Sequence, residues 1–342
     1  MKKIRQAVPV YGTGLLSSLD NQLIKNGLVF CAPEAWELAR PQLSCDPIAV
    51  AVPQSMEQSI LEAQIQKLPG AAFVFGIGGG SACDAAKMYA WKTGAKLILI
   101  PTILSVDAPF TKAIGVRIDH RVRYIGEVYP ELLLIDFELL RQAPPQLNRA
   151  GIGDILSIFT ALWDWRLAHR EKNEAFDTQI AMRSHQLLNR LLDASDDIRN
   201  CTDDGLHLLA ELYAGEVYLC EVYGNSRPEE GSEHYFAYCL ESLTQRSFIH
   251  GELIALGILL AALCQGQPLK EILKYLNEVQ VEFRPEKIGV TLEEIERTLI
   301  RLPTYLAEEP QLLYGVFHHR GVNQKQAGQL LNRLRNLINK GR

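Results

Sequence analysis

Short apolar runs punctuate the first 135 residues of the chain: LVFCA (28–32), PIAVAV (47–52), AAFVFG (71–76), KLILIP (96–101) and ELLLI (131–135). They are continuous rather than alternating, which predicts strands buried on both faces, as in a parallel sheet. Helix-like segments such as SMEQSILEAQIQK (55–67) and residues 82–92 separate several of them. Past about residue 145 the texture changes. Segments 154–170, 175–193, 204–223, 251–265, 269–277, 291–307 and 324–339 repeat apolar residues at helical spacing, and strand-like runs almost vanish. APPQLNRAGIG (143–153) is rich in proline and glycine and marks the boundary. The expected organisation is an α/β domain with a parallel sheet over 1–145 and an all-α domain over 146–342. The longest apolar run, LIALGILLAALC (253–264), is too short for a membrane span and reads as a buried helix.

Composition narrows the function class. The 342 residues carry a net charge of −5 with acids and bases interspersed, which excludes the basic footprint of a nucleic-acid binder. The seven cysteines are odd in number and form no CxxC pair, which argues for a reducing compartment rather than a disulfide framework. MKKIRQAVPVYGTG lacks the apolar stretch of a secretory signal, so a cytoplasmic location is expected. The oligomeric state stays open, a homo-oligomer included.

FVFGIGGGSACDAAK (73–87) sets Gly76, Gly78, Gly79 and Gly80 between a strand and a helix, with Ser81 placed to cap the first turn. Such a turn bares backbone N–H groups at a helix N-terminus, where an anion is favoured. Its spacing departs from G-x-G-x-x-G, because Ser81 stands where the third glycine would be. A tight packing turn accounts for the glycines equally well. The next strand also ends in a polar loop: LILIPTILSVDAPFTKAIG brings Thr102, Ser105, Asp107 and Thr111 to the same edge of the sheet. Ligands of open α/β sheets sit beyond these strand ends.

In the helical half, Asp154 opens a helix, and His234 and His250 each stand near the start of one. A helix over 234–243 is about 14 Å long at ~1.5 Å per residue, and the six residues 244–249 can return about 20 Å. One carboxylate and two imidazoles suit a divalent transition metal and leave positions open for catalysis. A helix cap and two packed histidines are the other reading of the same residues.

The ordered motifs GIGGGSACDAAK, PTILSVDAP, AGIGD, SRPEEGSEH and IHGE resemble the dehydroquinate synthase-like superfamily, which includes the iron-containing, metal-dependent polyol dehydrogenases. SRPEEGSEHYFAY (226–238) and GIGDILSIFTALWDWRLA (151–168) are most similar to sn-glycerol-1-phosphate dehydrogenase, whereas PTILSVDAPFTKAIG is similar to glycerol dehydrogenase. The likeness runs from about residue 70 into the C-terminal helices. It implies a Rossmann-like N-terminal domain, a helical metal-binding C-terminal domain and an active site in the cleft between them. It implies NAD or NADP on Gly78, Gly79, Gly80, Ser81 and Ala82, then on Thr102, Ile103, Leu104 and Ser105, with Thr111 nearby. It implies one divalent metal, zinc in the first place and nickel or iron otherwise, on Asp154, His234 and His250, and a substrate hydroxyl held by Asp107.

Two departures stand out. Relatives carry a second histidine four residues after the first, in a Ser-His pair, where this chain has Ala237 and Tyr238. Four residues is the same helix face, so Tyr238 is a candidate substrate contact. Ala32 and Pro33 replace an acidic residue near the adenine ribose, which leaves NAD against NADP undecided. The expected activity is metal-dependent interconversion of a small polyol, or polyol phosphate, with its ketone. Arg227, Lys112 and Arg149 are candidate cations for a substrate phosphate, and a solvated surface charge is an equal reading of each. Glycerol dehydrogenase activity on an unphosphorylated polyol, a sugar-phosphate cyclase or lyase, and a non-catalytic relative are the alternatives.

Overall fold

The computed structural model describes residues 8–340. Among the described residues the strands are β1 (Pro9–Gly12), β2 (Gly27–Phe30), β3 (Ala49–Ala51), β4 (Phe73–Gly78), β5 (Lys96–Pro101), β6 (Ala113–Ile118), β7 (Arg121–Glu127) and β8 (Leu132–Asp136). Six form one sheet in the order β1-β8-β5-β4-β2-β3, every neighbouring pair parallel. The register sets Val74 opposite both Leu28 and Leu97, all essentially buried, so apolar side chains stack across the central strands. From β2 the chain steps outward to β3, then reverses to β4 and continues through β5 to β8. The reversal makes the carboxyl ends of β2 and β4 a switch point, the place where such sheets open a ligand crevice.

Helices α1 (Asn21–Lys25), α2 (Pro33–Ala39), α3 (Gln58–Ile65), α4 (Gly80–Thr93), α5 (Phe137–Gln142) and α6 (Pro145–Ala150) accompany the strands. Ile24, Ala35, Ala39 and Leu139 from α1, α2 and α5 share one core with Val29, Phe75, Ile77, Ile98, Ile100 and Leu134 of the sheet. On α4, Cys83 presses its backbone against Gly76, and the Tyr89 ring meets Phe30 at 6.1 Å. β6 and β7 form a separate antiparallel hairpin. Its turn residues Asp119 and His120 have φ of 52° and 62°, the left-handed pair that a tight hairpin requires. The apolar runs do not mark this hairpin or β1, because RVRYIGE is charged and partly exposed, and PVYG is a short edge strand.

Beyond α6 the regular elements among the described residues are all helices: α7 (Ile152–Lys172), α8 (Thr178–Leu192), α9 (Ser195–Asn200), α10 (Asp203–Tyr223), α11 (Ser232–Thr244), α12 (His250–Gln265), α13 (Lys270–Glu278), α14 (Leu292–Glu308), α15 (Val316–His319) and α16 (Gln324–Lys340). Every residue of α12 from Gly251 to Gln265 is buried, as expected of a helix that is apolar all round. No helix among the described residues is long and apolar enough to cross a membrane.

The chain divides into two compact units. One comprises the described residues through Asn148 together with Cys201–Ala214, and the other comprises Arg149–Asn200 and the residues from Gly215 onward. The first turns of α10 therefore belong with the sheet, although the sequence pattern gives no sign of it.

Candidate metal centre and dinucleotide turn

Asp154 projects from the first turn of α7, His234 from the first turn of α11, and His250 is the first residue of α12. Their backbones converge because glycines let the helices touch. A β-carbon on Gly251 would lie 1.6 Å from the Ala150 carbonyl oxygen, and one on Gly153 would lie 2.5 Å from the Gly251 Cα. A β-carbon on Gly257 would meet the Glu233 carbonyl oxygen at 2.5 Å. No side chain fits at any of these crossings, so the glycines of AGIGD and IHGE set how closely the three helices pack.

The three side chains offer ligand atoms that all lie within 4.8 Å of one another. Asp154 Oδ1 lies 3.2 Å from His250 Nε2 and 3.7 Å from His234 Nε2. Ligands about 2.0–2.2 Å from a tetrahedral ion are separated by roughly 3.3–3.6 Å, so these spacings fit such an ion. Asp154 and His234 are each 6% exposed. Asp154 Oδ1 is buried and makes no hydrogen bond, a cost that a bound cation removes.

Glu233 orients His234. The His234 Nδ1–H points at Glu233 Oε1, 3.0 Å away, which leaves the Nε2 lone pair facing Asp154 and His250. Glu233 is itself fixed: Oε1 accepts from the Gly231 N–H at 2.5 Å, and Oε2 accepts from the Thr160 hydroxyl at 2.6 Å. Sequence reasoning missed Glu233, because adjacent helical residues do not share a face. Burial opposes charge on His234, but the carboxylates of Asp154 and Glu233 beside it more than offset it and raise the imidazole well above its ordinary range. Burial alone would raise the Asp154 carboxyl, yet His250 and His234 beside it hold it well below the usual carboxylate range. The trio thus attracts positive charge. Tyr238 stands one turn after His234, half-buried, with ring centroids 5.9 Å apart, while Ala237 is core.

In the sheet unit, β4 ends on Gly78 with φ +150°, a conformation other residues rarely adopt. Gly79 is the N-cap of α4 and Gly80 its first residue, so the first amides of α4 have no intrahelical acceptor. A β-carbon on Gly79 would strike Ile103 and one on Gly80 would strike Val106, both at 2.9 Å, so the segment after β5 lies directly against the turn. The Thr102 N–H donates to the Gly78 carbonyl at 3.2 Å. Ser81 is not the cap. The helix starts at Gly80, which sets Ser81 exposed inside the first turn. Ala82, Thr102 and Leu104 are buried, and Ile103, Ser105, Asp107 and Thr111 are half-buried. The backbone carbonyl of Asp107 accepts from Phe110 and Thr111 at 2.7 and 3.3 Å. The structure thus groups Gly78 to Ala82 with Thr102 to Ser105 in one unit, and Asp154, His234 and His250 in the other.

The sequence profile of iron-containing alcohol dehydrogenases matches residues 35–144. A glycerol-1-phosphate dehydrogenase [NAD(P)+] of Sulfolobus acidocaldarius is 30% identical over 271 residues, which are 78% of this chain and 75% of that protein. The chain belongs to the iron-containing alcohol dehydrogenase family. Another glycerol-1-phosphate dehydrogenase [NAD(P)+], from Staphylothermus marinus, is 28% identical over 267 residues, 78% of this chain and 74% of that one. Among solved folds, a probable glycerol dehydrogenase from Sinorhizobium meliloti superposes with a TM-score of 0.73, 18% identity and 97% of each chain covered.

Within this family member two of the candidate phosphate cations, Arg227 and Lys112, are already paired with carboxylates. Arg227 is fully buried. Its Nε and Nη2 donate to Glu174 at 2.7 and 2.5 Å, and its Nη1 donates to the Tyr314 carbonyl at 2.8 Å. Lys112 pairs with Glu127 at 3.0 Å and lies 5.5 Å from the Tyr129 ring centroid. Arg149 donates to Gln280 at 2.7 Å.

Proposed function

We propose that the chain is a metal-dependent, NAD(P)-linked oxidoreductase that interconverts a small polyol phosphate and its ketone, in the manner of glycerol 1-phosphate and dihydroxyacetone phosphate. The observation that carries this reading is the meeting of Asp154, His234 and His250 around one unsatisfied carboxylate oxygen, in a chain 30% identical to a glycerol-1-phosphate dehydrogenase.

Asp154, His234 and His250 would hold the ion, zinc in our reading, with nickel or iron suited to the same donors. When bound, such an ion supplies Lewis acidity to an alcohol or carbonyl oxygen. The residues around it do the rest. Glu233 keeps the His234 Nε2 lone pair aimed inward by accepting the hydrogen bond of the Nδ1–H. Tyr238 offers a hydroxyl that can donate to a substrate oxygen. In the sheet unit, the amides at Gly80 and Ser81 would hold the pyrophosphate of NAD(P), Thr102 to Ser105 would hold the cofactor beside it, and Asp107 would accept from a substrate hydroxyl. When bound, the cofactor would supply the hydride-transfer chemistry, and these residues would orient it.

A second reading, glycerol dehydrogenase activity on an unphosphorylated polyol, is favoured by one observation: Arg227 and Lys112 already answer to Glu174 and Glu127. A panel assay separates the two. NADH and NADPH oxidation is followed with dihydroxyacetone phosphate and with dihydroxyacetone, before and after chelation and after zinc is restored. We expect turnover with the phosphate ester, lost on chelation and recovered with metal. Turnover with dihydroxyacetone alone selects the second reading, and no turnover with either sinks both.

A further inference from the structure

The segment after β5 has no regular structure, yet it is anchored from beneath. Leu104 donates its N–H to Asn148 Oδ1 at 2.9 Å, and its carbonyl faces the Tyr213 hydroxyl at 3.5 Å. Asn148 is 2% exposed, and its Nδ2 donates to the Leu140 carbonyl at 2.8 Å. These two backbone partners fix the orientation of the carboxamide. A flipped amide would set N–H against N–H and oxygen against oxygen. Phe110, at the far end of the segment, stacks on buried Tyr213 with centroids 5.4 Å apart.

We propose that Asn148 is a positioning residue for dinucleotide binding. It holds Thr102 to Ser105 in the shape that receives the half of the cofactor beyond the pyrophosphate. The inference rests on the dinucleotide reading above. Asn148 need not touch the cofactor; it acts through Leu104. A dinucleotide lies across the switch point of such a sheet, so the glycine turn after β4 takes the pyrophosphate, the end of β2 takes the adenosine and the β5 side takes the nicotinamide nucleoside. Gly78 to Gly80 and the start of α4 hold their conformation without Asn148. Without the Leu104 anchor, the segment samples other shapes, and apparent affinity falls by the fraction of chains still in the competent one. A ligand that uses the glycine turn alone escapes that penalty.

The test measures binding rather than turnover. Dissociation constants of NADH, NADPH and ADP are determined calorimetrically for the full-length wild type, Asn148→Ala and Asn148→Asp, alongside melting temperatures. In Asn148→Ala we expect the preferred dinucleotide to bind on the order of fivefold to tenfold more weakly, the effect of one net hydrogen bond on the population. ADP should stay within about twofold of wild type, because it lacks the second nucleoside. Asn148→Asp keeps the acceptor for Leu104 and loses the donor to Leu140. It should melt earlier than wild type and yet retain the wild-type ratio of dinucleotide to ADP affinity. An Asn148→Ala protein that melts earlier but keeps that ratio overturns the proposal and leaves Asn148 a stabilising residue only. A wild-type protein that binds neither NADH nor NADPH defeats the dinucleotide reading, and this inference with it.

Discussion

The Ala150 carbonyl oxygen occupies the place that a β-carbon on Gly251 would need, 1.6 Å from it. This contact lies between the residue that ends α6 and the one that follows His250, so it fixes the distance from the start of α7 to the start of α12. Gly251→Ala would force the helices apart at the point where Asp154 and His250 emerge. Overpacking of this kind costs about 3 kcal/mol or more, because backbone, not a side-chain tip, is in the way. The expected result is a protein with a clearly lower melting temperature that purifies with little metal. Elemental analysis beside calorimetry checks it, and an alanine variant loaded like wild type contradicts it.

Glu233 makes no contact with a substrate in this account, yet it controls His234. In Glu233→Gln the amide still accepts from Gly231, but the carboxylate that stabilises the Nδ1 proton is gone. Loss of such an orienting partner typically weakens metal affinity about 10- to 100-fold. Competition against a graded series of chelators should show that drop while the fold, followed by circular dichroism, stays intact.

What the sequence disclosed and what it hid divide along physical lines. The central strands were legible because burial on both faces leaves continuous apolar runs, and α12 because it is apolar on every side. The hairpin β6–β7 was not, since β6 alternates buried and partly exposed positions, β7 is charged, and the turn residues Asp119 and His120 are no strong hairpin pair. The ligand trio could be picked out by residue type, but its convergence depends on Gly153, Gly251 and Gly257, whose role appears only when the helices are seen to touch. By sequence alone Arg227 suited a substrate phosphate or a solvated surface; Glu174, 53 residues away, claims it, and no local pattern announces that partnership. Asn148 and Tyr213 gave no signal either, since each meets Leu104 only through the tertiary fold.

Arg227 offers a direct test of the phosphate question. Its bidentate pair with Glu174 is buried on the arginine side and 26% exposed on the glutamate side. Removal of one partner from a buried pair costs about 3–5 kcal/mol, less here because Glu174 keeps some water. Arg227→Lys loses the fork geometry and should lower the melting temperature by several degrees. The KM for a phosphorylated substrate should stay within about twofold of wild type, because the guanidinium is spent on structure. A large KM increase at unchanged stability would reassign Arg227 to the substrate.

His318 predicts part of the acid sensitivity. Burial first, then Arg227 and Lys172, push its imidazole down to about 4, and its Nδ1 accepts from the Gly315 N–H at 3.2 Å. The folded state therefore prefers the neutral ring. This contribution is complete above the unfolded value near 6.5 and is lost as pH falls from there to about 4. After allowance for partial exposure it amounts to about 1–2 kcal/mol. His318→Asn keeps an acceptor and cannot ionise, so its stability should fall less steeply between pH 6.5 and 4 than that of wild type in denaturant titrations. Parallel curves would remove His318 from the account.

Tyr238 separates a substrate contact from a metal contact. Its ring stands 5.9 Å from that of His234 on the same helix face, and it is not one of the three convergent ligands. Tyr238→Phe keeps the ring packing and removes only the hydroxyl. If that hydroxyl donates to a substrate oxygen, its loss should cost about 1.5–3 kcal/mol of transition-state stabilisation, or roughly 10- to 100-fold in kcat/KM. Metal content and melting temperature should match wild type, since no ligand is touched. Loss of metal in Tyr238→Phe would move the tyrosine into the ion's own support. Wild-type kinetics with wild-type metal would leave the residue as packing, and the substrate hydroxyl would then have to find its partner on another side chain.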